Sequence, residues 1–185
     1  MNYKKYFLIS LIIALVISAL VGIYIFLFGK GNVIEGKVLF TTLAVASFSL
    51  LAFCSALQQN KAGFRWFSLA GVLVSVVAFG LVLIFIWMEE KDGTDFWKVA
   101  SIATIIAFAF AHASLIFLIK VKSLLTRFAM ISTIVFIVFV TIMLFYAIIY
   151  EVQSEFYFRL LGVFAILDVL GSITTPLLSR LTGQK

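Results

Sequence analysis

The stretch from residue 66 to residue 88 reads WFSLAGVLVSVVAFGLVLIFIWM and contains no charged residue. A helix rises about 1.5 Å per residue, so about 20 apolar residues are enough to cross the hydrocarbon core of a bilayer. The run is continuously apolar rather than alternating, which favours a membrane helix over a strand of a transmembrane barrel. This stretch therefore predicts one transmembrane helix.

Five more runs of the same character occur, and together the six cover residues 7–28, 38–57, 66–88, 97–119, 128–149 and 157–179. They leave short connecting loops in a chain of 185 residues, of which 64% are apolar and 12% are charged. A soluble domain has about 25% charged residues, so a water-facing globule is excluded. The sequence predicts an all-α, polytopic membrane protein with six transmembrane helices in a single domain, residues 1–185.

The charged residues sort to two sides of the predicted membrane. Both termini and the even-numbered loops carry nine basic residues and no acidic one: Lys4, Lys5, Lys61, Arg65, Lys120, Lys122, Arg127, Arg180 and Lys185. The other side carries five basic and seven acidic residues. Because short loops rich in Lys and Arg stay on the cytoplasmic side, we expect a multi-pass protein of the bacterial inner membrane with both termini cytoplasmic. The net charge of +6 is then a topology signal and does not indicate nucleic-acid binding.

A spacing of about 60 residues recurs along the chain. The acidic residues Glu35, Asp95 and Glu155, all on the predicted outer side, are each 60 residues apart. The spacing predicts three tandem helical hairpins. Uniform short loops produce a similar period without any duplication, so both origins stay open.

Small residues recur at every third or fourth position in four of the runs, and helices in lipid associate through such residues. The clearest examples are Ser10, Ala14, Ser18 and Gly22 in the first run, Ser68, Gly71, Ser75 and Ala78 in the third, and Ala100, Ala103, Ala107, Ala111 and Ser114 in the fourth. The fifth run is bulky on almost every side. We therefore expect spans one, three, four and six to form the core and span five to lie at the periphery.

Asp168 is the acidic residue that lies deep within a predicted span. An ionised Asp at the centre of a bilayer costs about 2.5–3.5 kcal/mol, so such residues face protein or water. His112, the only histidine, lies in the fourth span at a depth that permits contact with Asp168. One interpretation is a proton or cation site or a substrate anchor; the other is a hydrogen-bonded packing residue, with Ser172 one turn away.

The segment from Gly171 to Pro176 is the most polar part of any predicted span. Pro176 has no N–H and removes the hydrogen bond to the carbonyl of Ser172, which predicts a helix kink. This segment, with Ser172 and Thr175, either lines a cavity or satisfies the freed carbonyl through a threonine hydroxyl.

The sequence offers no recognisable catalytic chemistry. One His and one Cys cannot form a structural zinc site or a bis-histidine haem site, and the patterns G-x-S-x-G and H-E-x-x-H are absent. We therefore expect no metal, no cofactor and no enzyme. The favoured interpretation is a non-catalytic membrane component: a subunit, assembly or interaction protein that contacts lipid and either other membrane helices or a second copy. The alternative is a small-solute or proton-coupled transporter or channel that uses Asp168, His112, Ser172 and Thr175.

Overall fold

The computed structural model describes residues 3–29, 32–58, 63–88, 95–119, 121 and 123–181, without the side chains of residues 3–8, 10, 11 and 14. Within these residues the chain forms six α-helices and no strand, which confirms the all-α prediction. The helices are α1 (Tyr3–Phe28), α2 (Val33–Ala56), α3 (Arg65–Trp87), α4 (Phe96–Phe117), α5 (Leu124–Ile149) and α6 (Glu155–Leu181).

Each helix coincides with a predicted run but begins up to five residues before it. Two of the helices, α2 and α5, begin at polar capping residues that lie outside the apolar runs. Before α2, the backbone N–H of Asn32 donates to the Glu35 carboxylate at 3.4 Å. Before α5, the side chain of Ser123 accepts a hydrogen bond from the backbone N–H of Thr126 at 3.2 Å.

Helices α2 to α6 are long and apolar enough to cross a membrane. In α1 the described side chains give a shorter apolar stretch, Leu15–Phe28, so the first membrane crossing stays a prediction. Large apolar side chains remain exposed on all six helices, for example Phe26 at 83% and Trp66 at 82%. Exposed apolar surface of this extent fits a membrane-embedded protein.

Consecutive helices pack against each other, and α4 also contacts α2. The shared core is formed by Ala44 and Phe48 of α2, Ala78 of α3 and Ala107 of α4, all buried. Helix α1 packs mainly against α2, and α6 packs mainly against α5. Because every consecutive pair of helices is in contact, these contacts do not single out three hairpins, and the tandem hairpin arrangement stays a prediction.

The predicted place of span five at the periphery is wrong. Helix α5 lies between α4 and α6, whereas α1 and α6, which were expected in the core, each pack mainly against one neighbour and are peripheral. The reason is local: Thr133 of α5 fits against Gly171 of α6, where a Cβ atom would lie 2.4 Å from the Thr133 hydroxyl oxygen. The small-residue stripe of α3 is buried throughout and that of α4 is buried except at Ala103, as predicted. The side chains of Ser10 and Ala14 lie outside the described part of the chain.

The two ends of the bundle differ in chemistry. At the end where α4 and α6 begin, which the sequence predicts to be the outer end, Lys98 Nζ lies 2.7 Å from the Glu151 carboxylate and 3.3 Å from that of Asp95. At the opposite end, where α2 and α4 end and which we call the inner end after the predicted orientation, the described residues form hydrogen bonds between neutral polar groups. Much of the charge pattern behind the topology prediction lies outside the described residues: the side chains of Lys4 and Lys5, and Lys30, Lys61, Glu89, Glu90, Lys91, Asp92, Lys120, Lys122 and Lys185. The orientation of the chain stays a prediction.

Candidate functional site

The structure brings His112 and Asp168 together in the interior of the bundle. Asp168 is the middle residue of α6, and its side chain is 11% exposed. His112 Nδ1 lies 3.5 Å from Asp168 Oδ2, and His112 Nε2 lies 2.7 Å from Ser172 Oγ. Both ring nitrogens of one α4 residue therefore contact α6, although α4 and α6 have little other direct contact. We call His112, Asp168 and Ser172 the α4–α6 polar cluster.

Helical spacing explains why these three residues meet. Asp168 and Ser172 are four residues apart, so they lie one above the other on the same face of α6. Small residues surround His112 on α4, and Ala107 and Ala111 nearby are buried. The ring of Phe108 contacts the imidazole edge to face, with ring centroids 6.3 Å apart.

The hydrogen-bond partners assign the proton positions in the cluster. Ser172 donates its one hydroxyl proton to the backbone carbonyl of Asp168 at 2.8 Å. Its oxygen then accepts from His112 Nε2–H, so the Nδ1 nitrogen faces the carboxyl group. If the imidazole is neutral, Nδ1 can accept a proton from a protonated Asp168 carboxyl group. If the imidazole is cationic, its Nδ1–H can donate to an ionised Asp168 carboxylate. The 3.5 Å separation exceeds the usual range of about 2.7–3.2 Å, so this is a close contact rather than a tight hydrogen bond.

The second carboxyl oxygen of Asp168 has no partner. Asp168 Oδ1 is buried and makes no hydrogen bond. A buried polar atom without a partner costs about 1–3 kcal/mol, and such an atom in a native site calls for an explanation. In this cluster, Oδ1 is the position at which a proton or a small hydrogen-bond donor would bind.

Thr175 belongs to a different contact. Its hydroxyl donates to the carbonyl of Gly171 at 2.7 Å and lies 3.3 Å from the hydroxyl of Thr133 on α5. The four candidate residues therefore split into the α4–α6 polar cluster and an α5–α6 packing contact at Thr175. Helix α6 continues through Pro176 to Leu181, and the kink stays a prediction.

A second group of polar residues, at the inner end, was missed by the sequence analysis. Gln58 is completely buried just beyond the end of α2, and its amide nitrogen donates to the carbonyl of Ser114 on α4. Ser68 of α3 donates to the carbonyl of Ser55 at 2.7 Å. Because Gln58 follows the last residue of the predicted second span, its position in the sequence indicates a loop. The one available signal was that Ser55, Ser68 and Ser114 lie near the same predicted end of the bundle.

An open groove of about 210 Å³ lies between α3, α4 and α5. Its lining includes Phe67, Phe110, Ile134 and Ile137, and the side chains of His112 and Asp168 do not contribute to it. The groove is therefore apolar and separate from the α4–α6 polar cluster.

No combination of the described residues places three or more His, Cys, Asp or Glu side chains where they could hold a metal ion. Comparison with known proteins finds no family, no curated protein and no solved structure that matches this chain. The fold and the site thus define a helical protein with the character of a membrane protein and a polar cluster inside it.

Proposed function

We propose that the chain is an integral membrane protein that spans the cell membrane six times with both termini in the cytoplasm. In this proposal it acts without catalysing a reaction, as a subunit, assembly or interaction protein. Its contacts are with lipid and with other membrane helices or a second copy.

One observation carries the proposal: polar side chains within the apolar runs are used as contacts between helices. His112 joins α4 to α6, Thr133 joins α5 to α6, and Ser68 joins α3 to α2. Polar contacts of this kind hold membrane helices together, because the lipid offers no competing partner. The groove between α3, α4 and α5 is apolar, so this groove offers no polar path. Polar side chains used in this way support a role in helix packing and in association with other membrane helices.

The orientation is tested by labelling single cysteines with a membrane-impermeant maleimide. In a Cys54→Ala background, Asn32→Cys and Gln153→Cys place an exposed residue in two predicted outer loops, and Val121→Cys places one in an inner loop. We expect the outer positions to react in intact cells and Val121→Cys to react only after the cells are permeabilised. Labelling of Val121→Cys in intact cells would contradict the orientation.

A proton-coupled transporter or channel for small solutes is the second candidate. It is favoured by the geometry of the α4–α6 polar cluster, in which His112 Nδ1 lies 3.5 Å from a carboxyl oxygen of Asp168 and the other, buried oxygen has no partner. Acidic and histidine residues in membrane helices form proton relays in pumps and transporters. Histidine is suited to this role because it titrates near neutral pH.

Proton movement through purified protein in liposomes separates the two candidates. If the cluster carries protons, wild type should acidify the lumen of the vesicles under an imposed gradient, and Asp168→Asn should reduce the flux to that of empty vesicles. Asp95→Asn is the matched control, because Asp95 is exposed and Lys98 retains Glu151. Equal flux in wild type, Asp168→Asn and empty vesicles would leave the non-transporting component as the function.

A further inference from the structure

The inner end of the bundle contains three buried oxygen atoms that make no hydrogen bond: Ser55 Oγ, Gln58 Oε1 and Ser114 Oγ. All three residues are 0% exposed. A buried polar side chain is normally hydrogen-bonded, and each exception calls for a partner. Three exceptions where two neighbouring helices, α2 and α4, end indicate a shared partner.

The local geometry brings these atoms to one interface. The amide nitrogen of Gln58 donates to the backbone carbonyl of Ser114, so the adjacent Oε1 lies beside α4. Ser55 lies one turn before Gln58 and faces α3, where a Cβ atom on Gly71 would lie 2.8 Å from the Ser55 hydroxyl oxygen. The three residues therefore lie where the ends of α2 and α4 meet, and Ser55 also faces α3.

The chemistry of the atoms defines what they bind. Gln58 Oε1 can only accept a hydrogen bond, whereas each serine hydroxyl can donate and accept. The atoms that define this site are neutral, so a cation bound to them would lose its hydration without gaining an opposite charge. The hydrogen-bonding chemistry matches a water molecule, because buried waters typically make about three hydrogen bonds to polar groups that have no other partner.

We propose that the inner end of the bundle binds one buried water molecule, held by Ser55 Oγ, Gln58 Oε1 and Ser114 Oγ. The water donates to the glutamine oxygen and exchanges hydrogen bonds with the two hydroxyls, and so links α2 to α4. In a membrane protein, such a link fixes the relative position of helix ends whose apolar surfaces would pack equally well in other registers.

The sign of a melting-temperature shift tests the proposal. Ser55→Ala and Ser114→Ala each remove a hydrogen bond to the bound water, and we expect the Tm of the purified chain in detergent to fall by about 2–4 °C. The double variant should lose less than the sum of the two, because both hydroxyls hold the same water. In a dry site each substitution removes an unpartnered buried hydroxyl, so the Tm would rise, and a rise would overturn the proposal.

Ser75→Ala is the matched control. Ser75 is 1% exposed on α3, and its hydroxyl already donates to the carbonyl of Gly71 at 2.8 Å. This variant gives the baseline for removing a buried serine hydroxyl that needs no water. Shifts for Ser55→Ala and Ser114→Ala no larger than this baseline would contradict the bound water.

Two further measurements identify the occupant. In a sample labelled with ¹⁵N-glutamine, the side-chain amide protons of Gln58, assigned with Gln58→Asn, should show a cross-relaxation peak to water. The absence of this peak would overturn the proposal. The Tm should not change when sodium chloride is replaced by choline chloride, and a Tm that rises with sodium would assign the site to a cation instead.

Discussion

Replacing Asp168 with leucine is expected to lower the free energy of unfolding by about 1–3 kcal/mol. The substitution removes the carboxyl group from His112 Nδ1 and leaves that half-buried nitrogen without a partner. Ser172 keeps its own acceptor, because that acceptor is the backbone carbonyl of residue 168. Asp168→Asn retains a side chain that can donate to Nδ1, so its stability should stay near that of wild type. Thermal unfolding in detergent micelles measures both variants.

A double-mutant cycle isolates the contact between the two residues. If Asp168 and His112 interact, the variant that combines His112→Leu with Asp168→Leu should lose less stability than the sum of the single variants. Thr174→Leu replaces Asp168→Leu in the control cycle with His112→Leu, and the two losses should then add. Thr174 is exposed on α6, and its hydroxyl donates within its own helix, to the carbonyl of Leu170. Additive losses for Asp168 and His112 would show that the two side chains act independently.

Gly171→Ala should destabilise the protein by about 1–3 kcal/mol, the usual range for overpacking a close contact. The added Cβ atom would lie 2.4 Å from the Thr133 hydroxyl oxygen and 3.2 Å from the Thr133 Cβ. Thr133 cannot turn away without losing its hydrogen bond to the carbonyl of Ala129 and its 3.3 Å contact with the Thr175 hydroxyl. Gly162→Ala on the same helix meets no atom within 4 Å, and should raise stability by up to about 1 kcal/mol through helix propensity.

A second substitution tests the cause. Thr133→Ala removes the hydroxyl and methyl groups that the new Cβ atom would meet, so Gly171→Ala should cost less in this background than in wild type. Thermal unfolding of the four chains gives the comparison. If Gly171→Ala behaves like Gly162→Ala, then α5 and α6 do not approach each other at Gly171.

The helices could be predicted from the sequence because each apolar run is about as long as a bilayer is thick. Their first residues could not, since Asn32 and Ser123 cap α2 and α5 from outside the apolar runs. A hydropathy argument finds where a helix crosses the membrane, whereas capping decides where the helix begins.

The sequence predicted the residues of the candidate site but not all of their contacts. Polar residues inside apolar runs attract attention, so Asp168, His112 and Ser172 could be identified one by one. Which helix each residue faces depends on how the helices pack, and sequence periodicity alone does not determine that. The contact of Thr175 with Thr133 was missed for this reason. Gln58 was missed because it lies beyond the end of its helix and is buried by neighbours that are distant in sequence.

The interior contact between α4 and α6 through His112 is the central structural claim, and the lone histidine makes it directly measurable. The protein, labelled with ¹⁵N-histidine and purified through a tag without histidine, should give the imidazole resonances of His112 alone. Asp168→Asn should shift the Nδ1 resonance, Ser172→Ala should shift the Nε2 resonance, and the control Thr174→Ala should shift neither. Identical imidazole spectra in wild type and all three variants would contradict the α4–α6 polar cluster.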